Sequence, residues 1–207
     1  TTIWSRLSGT FLQNEIMKQI GLTGGIGVGK TFVAKLFHQM GIPVFNADVE
    51  AKKCMVSDSE LIKNIKLIFG NVIYIDGKLQ KEILASIIFS DIKKLNELNA
   101  LVHPVVKQSF LDWCEKQESE IVVKEAAILF ESNSHIGLDK VICVTAPENI
   151  RIQRVQQRYN DSINQVKSRI ESQMKQSEKE KLSDYIIVND GVELILPQVI
   201  KIISQIS

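Results

Sequence analysis

No apolar run in this chain approaches the roughly 18 residues of a membrane-spanning helix, and its start lacks the long apolar segment of a secretion signal. Cysteine is scarce: Cys54, Cys114 and Cys143 are odd in number, far apart and without C-x-x-C spacing. That excludes a disulfide framework and a cysteine-built zinc site, and it implies a reducing compartment, so the expected location is the cytoplasm. Charge of one sign is also missing. A formal net charge of +1 gives no general attraction to nucleic acid or anionic membrane, so any positive site must be local. Repeats, low-complexity tracts and linkers are absent too. The expected partners are therefore small molecules, with no nucleic acid and no membrane, and the expected state is a monomer.

What the chain does have is a glycine-rich stretch, Ile20 to Thr31, that fits G-x-x-x-x-G-K-[ST]. Glycines at 24, 25, 27 and 29 let successive backbone N–H groups turn inward around a phosphate without a Cβ clash. Lys30 then reaches the outer phosphates, and Thr31 places a hydroxyl where it can hold a bridging Mg²⁺. Chance matches to so short a pattern are common, and context decides. An apolar strand precedes the loop, over residues 18 to 23. After it Val33, Leu36, Phe37 and Met40 recur at i, i+3, i+4 and i+7, the stripe of a helix over 29–40 that Gly41 and Pro43 end. The helix adds its positive dipole end to the same anion site.

A second short strand is predicted over Ile42–Phe45, and directly after it comes Asn46-Ala47-Asp48. The Asp48 carboxylate thus falls on the sheet edge that carries the phosphate loop, where open α/β sheets bind ligands. It also has a plainer reading, as the N-cap of the following helix. From about 49 to 116 the pattern is helical, with a turn over Tyr74–Leu79 and a helix beginning at the His103-Pro104 junction, since proline suits a first helical turn. Seventy residues are too many for a plain crossover, so an inserted helical subdomain is predicted. Strands return at Ile121–Val123 and Val141–Val144, and Glu125 stands just past the first of them, where a metal-associated carboxylate is often kept.

Four of the five arginines, Arg151, Arg154, Arg158 and Arg169, fall in the next segment, and the first three share one helical face. Between residues 151 and 181 eight Lys/Arg face four Asp/Glu. A solvated helix face would also look like this, but arginine's planar fork suits phosphate oxygens, and the position after a sheet strand suits a closing lid. Tyr185–Val188 is the last strand, Asn189-Asp190-Gly191 a turn, and Val192 to Ile203 a helical pattern that begins or bends near Pro197. Residues 1–16 read as an extension ahead of Met17, with Ile3, Trp4, Leu7, Phe11 and Leu12 able to form a short amphipathic piece.

From about Lys18 onward the chain resembles the dephospho-CoA kinase family. The likeness rests on Gly21–Thr31, Ala47-Asp48, Leu95-Asn96 through Leu98–Pro104, Leu129-Phe130-Glu131, Arg154 with Arg158, Arg169-Ile170 with Gln173, and Asp184-Tyr185 with Asn189–Gly191. It implies a P-loop kinase-like α/β/α fold with a parallel sheet, and transfer of the ATP γ-phosphate to the ribose 3′-hydroxyl of dephospho-CoA. By resemblance the core would span 17–47, 119–149 and 184–207, the CoA-binding insertion 48–118 and the lid 150–183.

The resemblance further implies ATP contacts along Gly25, Ile26, Gly27, Val28, Gly29, Lys30, Thr31 and Phe32, and substrate contacts at Asp48, His103 and Glu131. Asp48 would be the base, with Lys30, Arg154 and Arg158 as catalytic cations and Thr31 and Glu125 at Mg²⁺. By residue type alone His103 is more often a packed histidine. The chain departs from the family pattern at three places. The family usually has aspartate at 46, Asp-Val-Pro at 125–127 and an Arg-Asp pair at 158–159, where this chain has Asn46, Glu125-Ala126-Ala127 and Arg158-Tyr159. The alternative reading is another P-loop nucleotide or nucleoside kinase. A GTPase would need an Asn-Lys-x-Asp segment, which is missing.

Overall fold

Strand alternation and parallel register set the architecture. The computed structural model describes residues 17–159 and 162–206; the predicted extension over 1–16 and residues 160 and 161 of the predicted lid lie outside them. The elements run β1 (Lys18–Thr23), α1 (Lys30–Gln39), β2 (Val44–Asn46), α2 (Ala47–Ser57), α3 (Ser59–Phe69), β3 (Tyr74–Ile75), β4 (Lys78–Leu79), α4 (Lys81–Ser90) and α5 (Ile92–Cys114). They continue with β5 (Ile121–Glu125), β6 (Lys140–Thr145), α6 (Glu148–Tyr159), α7 (Ile163–Glu171), α8 (Gln176–Leu182), β7 (Tyr185–Val188) and α9 (Ile195–Ile206). Five strands form one parallel sheet in the order β2-β5-β1-β6-β7.

Ile20, Leu22, Val123, Ile142 and Val144 point to one face and pack against Val33 and Phe37 of α1 and Val199 and Ile202 of α9. Val122 and Val141 point to the other, toward Leu61, Ile65, Leu98, Val102 and Phe110 of the insertion. Side chains that alternate between two apolar layers give the three-layer α/β/α arrangement that the resemblance implied. The predicted turn at 74–79 is a two-stranded hairpin, with Asp76 at φ 49° and Gly77 at φ 74° as its two turn residues.

One predicted boundary moves, and one of two predicted alternatives is selected, each for a physical reason. Pro104 does not open a helix; it lies inside α5, which Asp91 caps by accepting from the Lys93 and Lys94 amides. Leu98, Val102, Val106, Phe110 and Cys114 are buried on both sides of the proline. Each large buried side chain is worth about 1.5–3 kcal/mol, so the stripe outweighs the roughly 3 kcal/mol that an internal proline costs. Helix α9 begins at Ile195, two residues before Pro197, so the missing N–H falls among first-turn donors that have no intrahelical partner.

An aromatic cluster fastens the insertion to the sheet. Phe110 meets Phe45 edge-on with ring centroids 5.3 Å apart, and Trp113 of the same helix lies 5.5 Å from Phe45. Phe110 is 2% exposed and leaves a large void when truncated. Phe110→Ala is therefore expected to cost about 3–5 kcal/mol, whereas Leu67→Ala, at a side chain 75% exposed, should stay within about 0.5 kcal/mol of wild type. Chemical denaturation of both variants checks this, and equal midpoints would show that the insertion is not anchored here.

Candidate active site

The phosphate loop follows β1 directly. Gly29, at φ 95°, caps α1, and a Cβ there would come 2.2 Å from Asn189 Nδ2. At Gly27, φ 80°, it would come 2.6 Å from the Arg151 carbonyl oxygen. Neighbouring elements pack so closely on the loop that only glycine fits. Lys30 folds back, its Nζ donating to the Gly24 carbonyl at 2.7 Å. Burial lowers its pKa, while the charges of Asp48 and Glu125 oppose the shift.

Parallel register brings the acids to the same edge. Asn46 at the end of β2 pairs with Glu125 at the end of β5, which pairs with Leu22 of β1. Glu125 is 5% exposed, and burial raises its carboxyl pKa against the pull of Lys30. Its Oε2 accepts from Asn46 Nδ2 at 2.7 Å, and its Oε1 lies 3.4 Å from Thr31 Oγ1. Asn46 is also the true cap of α2, its Oδ1 accepting from the Val49 amide at 2.8 Å. The plain reading of Asp48 as the cap is therefore overturned. Asp48 sits in the first helical turn, exposed, with Oδ2 accepting from the Ala127 amide at 3.3 Å.

A cavity of about 480 Å³ gathers most of the predicted site: Ile26, Gly27, Gly29, Lys30, Thr31 and Phe32 of the loop, Asp48, Glu125, and Arg154 and Arg158 from α6. Gly25 and Val28 do not line it. The Gly25 amide is covered by Gln176, and Val28 is fully buried. His103 lies apart, on a second cavity of about 140 Å³ beneath α2 that shares only Asp48 with the first. Burial, and then the charge of Lys124, lower the His103 pKa. Glu131 turns to the root of the predicted lid, where its carboxylate meets Lys179 Nζ at 2.7 Å and the Met174 amide at 3.0 Å.

Several residues around the loop carry no role in the sequence reading. Arg151, 5% exposed, donates from Nε to the Ile26 carbonyl at 2.9 Å. Gln173 Oε1 accepts from the Ile26 amide and Gln176 Oε1 from the Gly25 amide, each at 2.9 Å. Asn189 donates to the Val28 carbonyl at 2.8 Å and accepts from Arg154 at 3.1 Å. Gln173 and Asn189 stand in family-like segments, but only the fold reveals that they reach back about 150 residues to one loop.

Among the described residues no cluster of three or more His, Cys, Asp or Glu side chains could enclose a metal ion by itself. Thr31 and Glu125 nevertheless offer adjacent hard oxygen donors beside the loop. That sparse set fits Mg²⁺, which keeps waters and takes much of its coordination from substrate phosphates.

The dephospho-CoA kinase family model (CoaE) matches residues 18–194. A dephospho-CoA kinase from Bacteroides fragilis is 36% identical over 187 residues, covering 90% of this chain and 91% of its own. Among solved structures, TT1252 from Thermus thermophilus superposes with a TM-score of 0.83 at 30% identity, over 93% of this chain and 99% of that one. Dephospho-CoA kinase from Campylobacter jejuni superposes with a TM-score of 0.65 at 25% identity, over 91% and 96%. With the phosphate loop, the acids at the strand ends and the arginine-bearing helix in the family's order, this chain belongs to the dephospho-CoA kinase family.

Proposed function

We infer that the protein transfers the γ-phosphate of ATP to the ribose 3′-hydroxyl of dephospho-CoA, releasing coenzyme A and ADP. The carrying observation is that the phosphate-loop cavity and the cavity of the helical insertion share Asp48 and no other residue. A donor on one side and an acceptor on the other meet at that carboxylate. Family membership supports the chemistry and the acceptor.

Phosphoryl transfer needs in-line positioning, neutralisation of phosphate charge and a group to take the hydroxyl proton. The loop amides and Lys30 are proposed to cradle the phosphates, with Lys30 leaving the Gly24 carbonyl for the outer ones. Thr31 and Glu125 would hold Mg²⁺, which supplies positive charge between the phosphates when bound. Arg154 and Arg158 cover the cavity from α6 and are proposed to meet the charge on the transferring group. Asp48, solvent-accessible, takes the proton. His103 is proposed to contact the acceptor and Glu131 to act at the lid root. Closure over the site would come from α7, because α6 is tied to the loop by buried Arg151, and α8 by fully buried Lys179, which donates to the Ala127 carbonyl at 2.7 Å, and by Glu180, which accepts from Thr145 at 2.6 Å. Excluding water matters here, since water competes with the ribose hydroxyl for the phosphate.

A coupled assay tests the assignment: ADP release must require dephospho-CoA. Because Asn46 does the capping, Asp48→Asn keeps the helix start and loses only the proton acceptor. Its melting temperature should match wild type while kcat falls about 10²- to 10⁴-fold; turnover near wild type would leave the mechanism without its base. Arg154→Ala and Arg158→Ala should lower kcat on the order of 10²- to 10³-fold with a smaller change in KM for dephospho-CoA. Variants that shifted only thermal stability would reduce these arginines to helix-surface residues.

A further inference from the structure

Strand β5 places two ionisable residues side by side, and strand alternation sends them to opposite faces of the sheet. Glu125 enters the phosphate-loop cavity, whereas Lys124 enters the layer occupied by the insertion. Lys124 is only 4% exposed. Its ammonium lies 4.8 Å from the centroid of the Phe110 ring, the side chain lines two cavities, and among the described residues no carboxylate forms an ion pair with it. A largely desolvated ammonium without a counter-ion is costly to hold, whereas an apolar side chain at this cavity wall would carry no such cost. Burial and the nearby Lys107 charge lower its pKa.

The cavities explain where the missing negative charge would come from. Beside the 140 Å³ cavity that begins at Asp48 lies another, of about 380 Å³, between α5 and the 132–138 loop. His103, Lys107, Lys124, Ser132 and Ser134 line both, so the two adjoin along a polar wall carrying two lysines. No acidic side chain lines the shared wall.

We propose that Lys124, assisted by Lys107 at the rim, binds the diphosphate of the acceptor, the anionic link between its adenosine and its pantetheine arm. The proposal rests on the reading of the acceptor given above. Once the ribose hydroxyl reaches Asp48, the diphosphate is the acceptor's anionic group and lies only a few bonds from that ribose. The nucleotide donor's phosphates are held on the opposite face of β5, at the loop. One strand therefore separates two anion sites, with adjacent residues serving one each. An anion beside Lys124 supplies the charge partner that the protein does not, and His103, on the same wall, offers a ring N–H to the same group.

Steady-state kinetics of the full-length protein test this, with dephospho-CoA and with adenosine, which offers the same hydroxyl without a diphosphate. Lys124→Met preserves length and packing on Phe110 and removes the charge. Its KM for dephospho-CoA should rise about tenfold or more, as for a lost charge-assisted contact, with KM for ATP within about twofold of wild type. Preference for dephospho-CoA over adenosine should fall by the same factor. Lys107→Gln, at an exposed site, should move the same ratio less and in the same direction, and it carries the comparison if Lys124→Met does not fold. An unchanged dephospho-CoA KM, or an equal loss on both acceptors, overturns the proposal. If wild-type protein releases ADP with neither acceptor, the kinase reading itself fails and this proposal goes with it.

Discussion

The site depends on one constraint, the parallel register of β2, β5 and β1. Parallel strands end on the same edge, so the residues that close them are brought together whatever their separation in sequence: Asn46, Glu125 and the turn after Thr23 meet because their strands are in register. Lys30 is then placed among Asp48 and Glu125, and each charge offsets part of the cost of burying the others. Burial lowers the lysine pKa and raises that of Glu125, yet the opposite charges oppose both shifts. A register slip of one residue in β5 would exchange Lys124 for Glu125 at this edge and remove the acid altogether.

The phosphate loop is shaped from outside as well as by its glycines. Arg151 holds the Ile26 carbonyl, Asn189 holds that of Val28, and two glutamine oxygens occupy the amides of Gly25 and Ile26. A buried amide left without an acceptor costs free energy, and these oxygens supply the acceptors. Neutral glutamine is the weaker partner for those N–H groups. An anionic oxygen would make the stronger hydrogen bond to the same N–H groups.

The loop, the acids after the strands, the insertion and the arginine helix were legible because each has a local signature: spacing, period or charge. Position 104 was not. A proline reads as a helix start when only its own peptide is considered, and its place inside α5 depends on a buried stripe that belongs to the tertiary structure. The cap of α2 was misplaced by two residues, because Asn46 and Asp48 are equally good caps and only backbone geometry separates them. Arg151 reads with the other lid arginines as a phosphate-facing charge, yet it is buried against the loop, and Lys124, beyond the strand predicted over Ile121–Val123, is buried within β5. Charge tells a sequence reader that water or a partner is near, but not which.

The side chains at 46 and 125, both departures from the pattern that the resemblance implied, are hydrogen-bonded to each other. With Glu125 in place, an aspartate at 46 would set two carboxylates at hydrogen-bond distance, and one of them would have to take up a proton or move away. Asparagine removes that repulsion. Its amide nitrogen donates to Glu125 while its oxygen still caps α2, so one side chain satisfies both neighbours. The hydrogen bond holds Oε2 of the glutamate and leaves Oε1 3.4 Å from Thr31 Oγ1. Asparagine at 46 thus leaves Glu125 and Asp48 as the carboxylates whose charges act on Lys30.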